Sequence, residues 1–331
     1  GLVPVLVDVD PGTFNIDPEK IEDALSEKTR AIIAVHLFGQ CCDMEPILRI
    51  ASRHNLYVIE DNAQSIGANY TFSDGTVKKA CTIASIGTTS FFPSKPLACY
   101  GDGGAMFTSD ARLAERLRMI ANHGQKVKYH HALVGCNSRL DTAVLDVKLR
   151  YLDEFAAARC KVAARYDAAF SGLDAVRKPL KSAFSSHVYH QYTVQLAVEK
   201  RDQVQAALKE RGIPSMIYYP LPLQEQEVMR GPDFRGFECR FSLEPIRIIL
   251  ADSYGDDRRG AGLYYRIYKE CFMNKKIRFA VIGCGHIGKR HAEMITRDEG
   301  AELVALCDIR PKEELGIEAY AVPFARDIDE L

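Results

Sequence analysis

No stretch of the 331 residues is apolar for long enough to cross a bilayer as a helix. The opening residues do not read as a signal peptide. Net charge is nearly absent too: 43 Lys and Arg stand against 44 Asp and Glu, leaving −1. That removes any general attraction to nucleic acid or to an anionic membrane. There is no internal repeat and no low-complexity tract. Metal-ligand spacing is missing as well. The ten cysteines are scattered, Cys41 and Cys42 are adjacent and poorly placed to bridge each other, and the nine histidines form no cluster. The pair His130-His131 reads as a loop pair. A reduced, cytoplasmic setting fits this cysteine usage. What remains, 47% hydrophobic and 26% charged, is the composition of an ordinary globular protein with room for more than one domain.

Two short stretches carry the chemistry. Leu56-Tyr57-Val58-Ile59-Glu60 reads as a buried strand and delivers Asp61 at its carboxyl end. In open α/β sheets ligands bind beyond those ends. Later, Lys95 sits in Ser90-Phe91-Phe92-Pro93-Ser94-Lys95-Pro96. Pro96 biases it away from helix, and Phe91, Phe92, Pro93 and Pro96 offer an apolar setting that lowers a lysine pKa. A carboxylate to pair with a pyridinium nitrogen and a lysine to hold an aldehyde as a Schiff base are what a pyridoxal phosphate (PLP) enzyme needs. Either residue alone reads as surface; the pair favours the cofactor.

The coarse order is α/β. Expected are strand 5–9, helix 17–26 (opened by Asp17-Pro18), strand 31–36, helix 44–54 and strand 56–60. A β segment over 83–92, strand 104–108, helix 110–122 and one long helix over about 139–170 follow. Then comes β-α-β over 192–198, 202–211 and 215–219.

These residues resemble the DegT/StrS family of nucleotide-sugar aminotransferases over residues 4 to about 226. The matching stretches include Val7-Asp8-Val9-Asp10, Val35-His36-Leu37-Phe38-Gly39-Gln40, Glu60-Asp61-Asn62-Ala63-Gln64, Gly101-Asp102-Gly103-Gly104, Asn137-Ser138-Arg139-Leu140-Asp141 and Tyr219-Pro220-Leu221-Pro222. The wording from Thr89 to Gly104 is nearest the branch that aminates C3 of a UDP-linked 3-keto-hexuronic acid.

The resemblance implies an aspartate-aminotransferase-type (PLP fold type I) large domain over 1–170 and a partial small domain over 171–226. It implies that Lys95 is the Schiff-base lysine and proton shuttle. Asp61 would bind the pyridine nitrogen, Gln64 the ring, and Ser90 the phosphate. Asn137 would reach the cofactor of a neighbouring subunit in a homodimer, and Arg139 would meet the sugar carboxylate. Tyr218 and Tyr219 would lie on the sugar turn. Glutamate is the implied amino donor. For Ser90, Gln64, Asn137 and Arg139 ordinary loop chemistry is the other reading; Asn137-Ser138 is also a helix cap in waiting. A sugar dehydratase of the same family is the rival enzyme, and Lys95 counts against it, because those enzymes carry histidine there.

The chain departs from that pattern in three places. The family's Ser-Gly-Thr-like phosphate turn is not found before the 5–9 strand, so a truncated opening and a weakened cofactor cup are expected. Tyr218 replaces the histidine that usually precedes the tyrosine. Residues 227–272, with seven arginines and one lysine, show little periodicity and no recognisable closing strand. They read as an unassigned linker, either a divergent subdomain or a frameshifted read-through into a second gene.

From 273 a different pattern begins. A strand ending at Ile282 leads into Gly283-Cys284-Gly285-His286-Ile287-Gly288 and a helix, and a second apolar run ends in Asp308. This is the dinucleotide fingerprint. Residues 273–331 resemble the start of a Gfo/Idh/MocA dehydrogenase. The resemblance implies one Rossmann βαβ unit, with Gly283, Gly285 and Gly288 at a pyrophosphate and Asp308 on the ribose of NAD. A non-catalytic fusion product, or an oxidoreductase contributed by this unit, are the remaining alternatives.

Overall fold

Side chains alternate in direction along β1 (Ala31–Val35), so Ile32 and Ala34 turn inward while Ile33 and Val35 face outward. The computed structural model describes residues 2–140, 142–196, 198–230, 248–251, 277–298 and 301–327. It divides into two units, Gly1–Ser253 and Tyr254–Leu331.

In the first unit, α1 (Met44–Arg53) buries Met44, Ile47, Ile50 and Ala51, one stripe at helical spacing. That stripe meets Ile32, Ala34, Val58 and Tyr70 to form the main core. Asn55, at φ +53, ends the helix in the left-handed region. β2 (Tyr57–Asp61) follows, then a hairpin of β3 (Asn69–Thr71) and β4 (Val77–Lys79), then β5 (Ile86–Ser90) and β6 (Gly104–Phe107). The sheet order is β1-β2-β5-β6, parallel except for β6. Register aligns Val35 with Asp61 and Asp61 with Thr88. α2 (Ala111–Ala121) is capped by the Asp110 carboxylate, which accepts from the N–H groups of Arg112 and Leu113. A small ribbon, β7 (Gln125–Val127) with β8 (His130–His131), leads to α3 (Ala143–Leu149) and α4 (Leu152–Ala169).

Three expectations need correction. The 5–9 strand is reduced to isolated bridges at Leu6 and at Val9, the latter to Ile16; its alternation finds no ladder partner among the described residues. Helix 17–26 is two 3₁₀ turns, Pro18–Lys20 and Glu22–Ala24. Its anchors Ile21 and Ala24 are buried three residues apart, which suits three residues per turn. The long helix breaks at Arg150-Tyr151, where the Tyr151 N–H bonds the Lys148 carbonyl three residues back. The break lets both Leu145 and Leu152 enter one cluster with Phe91, Leu97 and Cys99.

The smaller sheet contains β9 (Tyr192–Gln195), β10 (Ser215–Ile217) and β11 (Ile248–Ala251), ordered β10-β11-β9, with α5 (Val198–Glu210) between the first two in sequence. A strand that was not recognisable in the sequence forms at Ile248–Ala251, where an apolar run pairs antiparallel with both neighbours. The remainder of the 227–272 linker, apart from a turn at Glu227–Arg230, lies outside the described residues, and so does the change of frame proposed for it.

In the second unit, β12 (Ile277–Ile282), β13 (Ala301–Cys307) and β14 (Phe324–Ala325) are parallel and adjacent in that order. α6 (His286–Arg297) crosses between the first two, and a short α7 (Lys312–Leu315) precedes β14. The third strand and second helix extend the single βαβ unit expected, because Leu315 and Ile317 bury against Leu303 and Leu306. No helix among the described residues is long and apolar enough to cross a membrane.

Candidate active site

Asp61 ends β2 and Ser90 ends β5, on parallel neighbours. Because strand side chains alternate, Asp61, Thr88 and Ser90 share one face and Glu60 and Thr89 the other. Asp61 Oδ1 accepts from the Ala63 N–H at 3.0 Å, and the carboxylate takes no other protein donor among the described residues. Ser90 Oγ accepts from the Phe92 N–H at 3.2 Å, which leaves its own hydrogen to donate. Lys95 follows in a turn closed by its N–H on the Phe92 carbonyl at 2.8 Å. Of the expected apolar neighbours, Phe91 is buried but Phe92 turns 51% to solvent. Burial nevertheless pushes the Lys95 amine below its ordinary pKa, and the nearby Asp61 carboxylate partly offsets this. The structure thus brings Lys95 and Asp61 into one electrostatic neighbourhood.

Gln64 ties this neighbourhood to the tyrosine turn. Its Oε1 accepts from the Phe38 N–H at 2.7 Å and its Nε2 donates to the Tyr219 hydroxyl at 3.2 Å. Burial raises the Tyr219 pKa; the Gln64 bond lowers it, and Tyr218 and Asp61 add to the rise. Tyr218 packs beside Phe14 and Phe38. Gly39, at φ +127, lets residues 187–191 run close: a Cβ there would lie 2.7 Å from the Tyr189 nitrogen.

Beneath Asp61 lies a pair that the sequence reading passed over. Glu60 and His36 are both fully buried. Glu60 Oε2 meets His36 Nε2 at 3.0 Å and the Cys81 N–H at 2.7 Å, while Oε1 accepts from the Ile83 and Ala84 N–H groups at 2.7 Å each. His36 Nδ1 accepts from the Cys42 N–H at 3.1 Å, so its proton sits on Nε2. Burial alone would raise the Glu60 pKa, but His36 and the N–H groups hold it below the ordinary value. The signal was present: His36 and Glu60 each stand in a family stretch. His190, buried and an electrostatic neighbour of Lys95, was also passed over; nothing in its spacing marks it.

Asn137 and Arg139 are placed elsewhere. With Ser138 they line an open cleft against α2, beside Glu115, Arg118 and Lys126. No hydrogen bond or ion pair joins them to Lys95 or Asp61 among the described residues. In the second unit, Gly283 adopts φ +85, and a Cβ on Gly288 would stand 1.9 Å from the Gly283 carbonyl oxygen. Asp308 Oδ2 accepts from the Cys284 N–H at 2.8 Å, and Oδ1 accepts from the Arg310 N–H at 3.0 Å. The acid expected on a ribose therefore braces the glycine loop. No group of three or more candidate metal ligands occurs among the described residues.

Residues 1–236 match the DegT/DnrJ/EryC1/StrS aminotransferase family, and residues 277–331 match an oxidoreductase family with an NAD-binding Rossmann fold. The chain is 48% identical over 229 residues to a UDP-2-acetamido-2-deoxy-3-oxo-D-glucuronate aminotransferase of Pseudomonas aeruginosa, covering 68% of this chain and 62% of that protein. A DegT/DnrJ/EryC1/StrS aminotransferase from Brucella abortus superimposes with TM-score 0.68 at 35% identity, over 82% of this chain and 74% of the other. The Bacillus subtilis protein NtdA, solved with bound cofactor PMP, gives TM-score 0.65 at 30% identity, over 80% and 62%. The chain spans about three-fifths of the length of the curated relatives it matches. With the match running through Asp61, Gln64, Lys95 and the tyrosine turn, the chain belongs to the DegT/DnrJ/EryC1/StrS aminotransferase family.

Proposed function

We propose that residues 1–226 bind PLP and serve amino transfer from an amino acid, glutamate by preference, to a UDP-linked 2-acetamido-3-keto-hexuronic acid. The observation that carries this is the half-buried Lys95 amine, depressed in pKa and set against Asp61. The donor set fits PLP. The Asp61 carboxylate has spare acceptor capacity for a pyridinium N–H, Ser90 has a free hydroxyl hydrogen for a phosphate, and Lys95 has no ion-pair partner among the described residues. When bound, PLP supplies an aldehyde for covalent attachment and a ring that withdraws electrons.

The protein's own groups do the rest. Lys95 Nζ holds and moves the proton, and its depressed pKa leaves more free amine near neutrality. Gln64, three residues beyond Asp61, holds the Tyr219 hydroxyl at 3.2 Å. The 48% identity to the Pseudomonas aeruginosa enzyme supports the sugar, with a place in cell-surface polysaccharide synthesis such as O-antigen. Asn137 and Arg139, apart from Lys95 within one chain, suit contribution to a partner's site in a cytoplasmic homodimer. The division into a 1–170 large and a 171–226 small domain belongs to the same reading. For residues 273–331, the loop geometry at Gly283 and Gly288 supports a turn for the pyrophosphate of NAD, with Gly285 and Asp308 beside it.

The test is to add PLP to the full chain, reduce with borohydride, and locate the cofactor by peptide mass analysis. Attachment at Lys95, lost in Lys95→Ala, is the expected result. Attachment at surface lysines with Lys95 unmodified would overturn the reading.

A further inference from the structure

The turn Leu37–Cys41 is closed from inside by one side chain. Asn15 is 3% exposed. Its Oδ1 accepts from the Leu37 N–H at 2.9 Å. Its Nδ2 donates to the Cys41 carbonyl at 3.0 Å and lies 3.4 Å from the Gln40 carbonyl. A single carboxamide thus joins the two arms of the turn as a paired strand would. Between the arms, Phe38 adopts φ +58 and Gly39 φ +127. The left-handed region is costly for a phenylalanine, so the turn needs this support. Residues 180–191 brace its other side: the Val188 N–H bonds the Gly39 carbonyl at 2.8 Å, and the Cys41 N–H bonds Ser185 Oγ at 2.9 Å.

What the turn presents to the site is the Phe38 N–H, 2.7 Å from Gln64 Oε1. That contact decides which way the Gln64 amide points. An N–H only donates, so it must meet the oxygen, and Nε2 is left for the Tyr219 hydroxyl at 3.2 Å. The tyrosine end cannot decide the matter, because a hydroxyl both donates and accepts. In the observed orientation the Tyr219 oxygen accepts, and its own hydrogen stays available to a ligand. With the amide reversed, the hydroxyl would donate to Oε1 and that hydrogen would be taken up inside the protein.

We propose that Asn15 is a positioning residue for Gln64: it holds the Leu37–Cys41 turn so that the Phe38 N–H fixes the Gln64 amide, and with it the free hydrogen of Tyr219. The consequence for cofactor and sugar rests on the amino-transfer reading above; the orientation itself does not. No hydrogen bond joins Asn15 to Lys95 or Asp61 among the described residues, so it acts through the turn. The bonds also say why the residue is an asparagine. A carboxylate would set an oxygen against two carbonyl oxygens, and a serine hydroxyl is too short to span both arms.

The test uses the full chain and compares wild type with Asn15→Asp and Asn15→Ser. The readout is hydrogen exchange of the Gln64 side-chain amide, followed by NMR in glutamine-labelled protein. The Ile83 N–H, held by Glu60 in the same unit, is the reference. At pH 8 the Gln64 amide should exchange about 2- to 10-fold faster in both variants, the range of one neutral hydrogen bond, with Ile83 unchanged. At pH 5.5 the introduced carboxyl, buried against carbonyls, takes up a proton and can donate again. Relative to wild type at the same pH, Asn15→Asp should then recover and Asn15→Ser should not. Unchanged Gln64 exchange in both variants overturns the proposal. So does equal acceleration at Gln64 and Ile83, which would mean a general loosening, and so does a failure of Asn15→Asp to recover. Borohydride trapping of PLP on wild type is scored separately. If Gln64 responds as expected but Lys95 carries no PLP, the positioning role stands and the amino-transfer reading falls.

Discussion

Burial and Asp61 pull the protonation of Lys95 in opposite directions. Burial disfavours the Lys95 ammonium and Asp61 favours it, so removing the carboxylate must lower the amine's pKa further. Asp61→Asn is expected to shift the titration of Lys95, followed by isotope-edited NMR, to lower pH; a shift upward would contradict the pairing. The folded-state pKa of Lys95 lies below its unfolded value of 10.5, so the unfolded chain binds more protons between the two. Stability contributed by this group therefore rises with pH across that window. Below that window the charge is a net cost. Lys95→Ala should keep or slightly raise the melting temperature while abolishing cofactor attachment. A cooperative melt lower by several degrees would show a packing role instead. Asp61 and Lys95 were legible because each stands in a distinctive local setting. His190 was not, because its burial comes from chain segments that meet only after folding.

At the level of elements, the strand ends are held by side chains more than by their ladders. Glu60 gathers three N–H groups and His36 into one carboxylate. In Glu60→Gln an amide nitrogen would confront the Cys81 N–H and the His36 Nε2–H, leaving at least one buried donor unpaired. A loss of about 1–3 kcal/mol is expected, measured by urea unfolding with the slope unchanged. An unchanged midpoint would mean that His36 simply changes tautomer at no cost. In the second unit, Gly288→Ala places a methyl 1.9 Å from a backbone oxygen, so α6 must move away from β12. The far-UV and exchange signature of residues 277–327 should weaken while Lys95 chemistry is untouched. Here the sequence was explicit, because the glycine spacing names its own close approach. It was silent about the break at Arg150-Tyr151, since the apolar period runs through it and only the need to bury Leu145 and Leu152 together decides.

For the whole molecule, acid is the expected weakness. His187 and His190 are each pushed down to about 3, mainly by burial, with Lys181 adding to the first and Lys95 and Arg159 to the second. Unfolded, each takes a proton near 6.5. Between about pH 6.5 and 3 the unfolded chain therefore binds more protons, and stability falls as pH falls. Glu60, held below its ordinary pKa, acts in the same direction at the lower end. Chemical denaturation from pH 7 to 4 should show this decline, and His187→Gln should flatten it; a flat wild-type profile would show that the imidazoles are hydrated. The α/β order from β1 to α2 was readable because each element carries its own period and its own caps. The start of the chain misled because alternation alone does not supply a neighbouring strand. The strand at Ile248–Ala251 was missed because its four apolar residues stand among charges.

The register Val35–Asp61–Thr88 has a consequence for how the chain tolerates length change. Glu60 and Asp61 are both carboxylates, on consecutive residues, with opposite surroundings: one is buried against His36 and three N–H groups, the other faces the opposite side of the sheet beside Lys95. Deleting a single residue within β2 would rotate every side chain to the other face. With the preceding register kept, Asp61 would take the place of Glu60, and Asn62 the place of Asp61. His36 would then face the shorter acid, and Lys95 an amide in place of a carboxylate. Variation in this strand is therefore free to exchange one apolar residue for another but not to change the count.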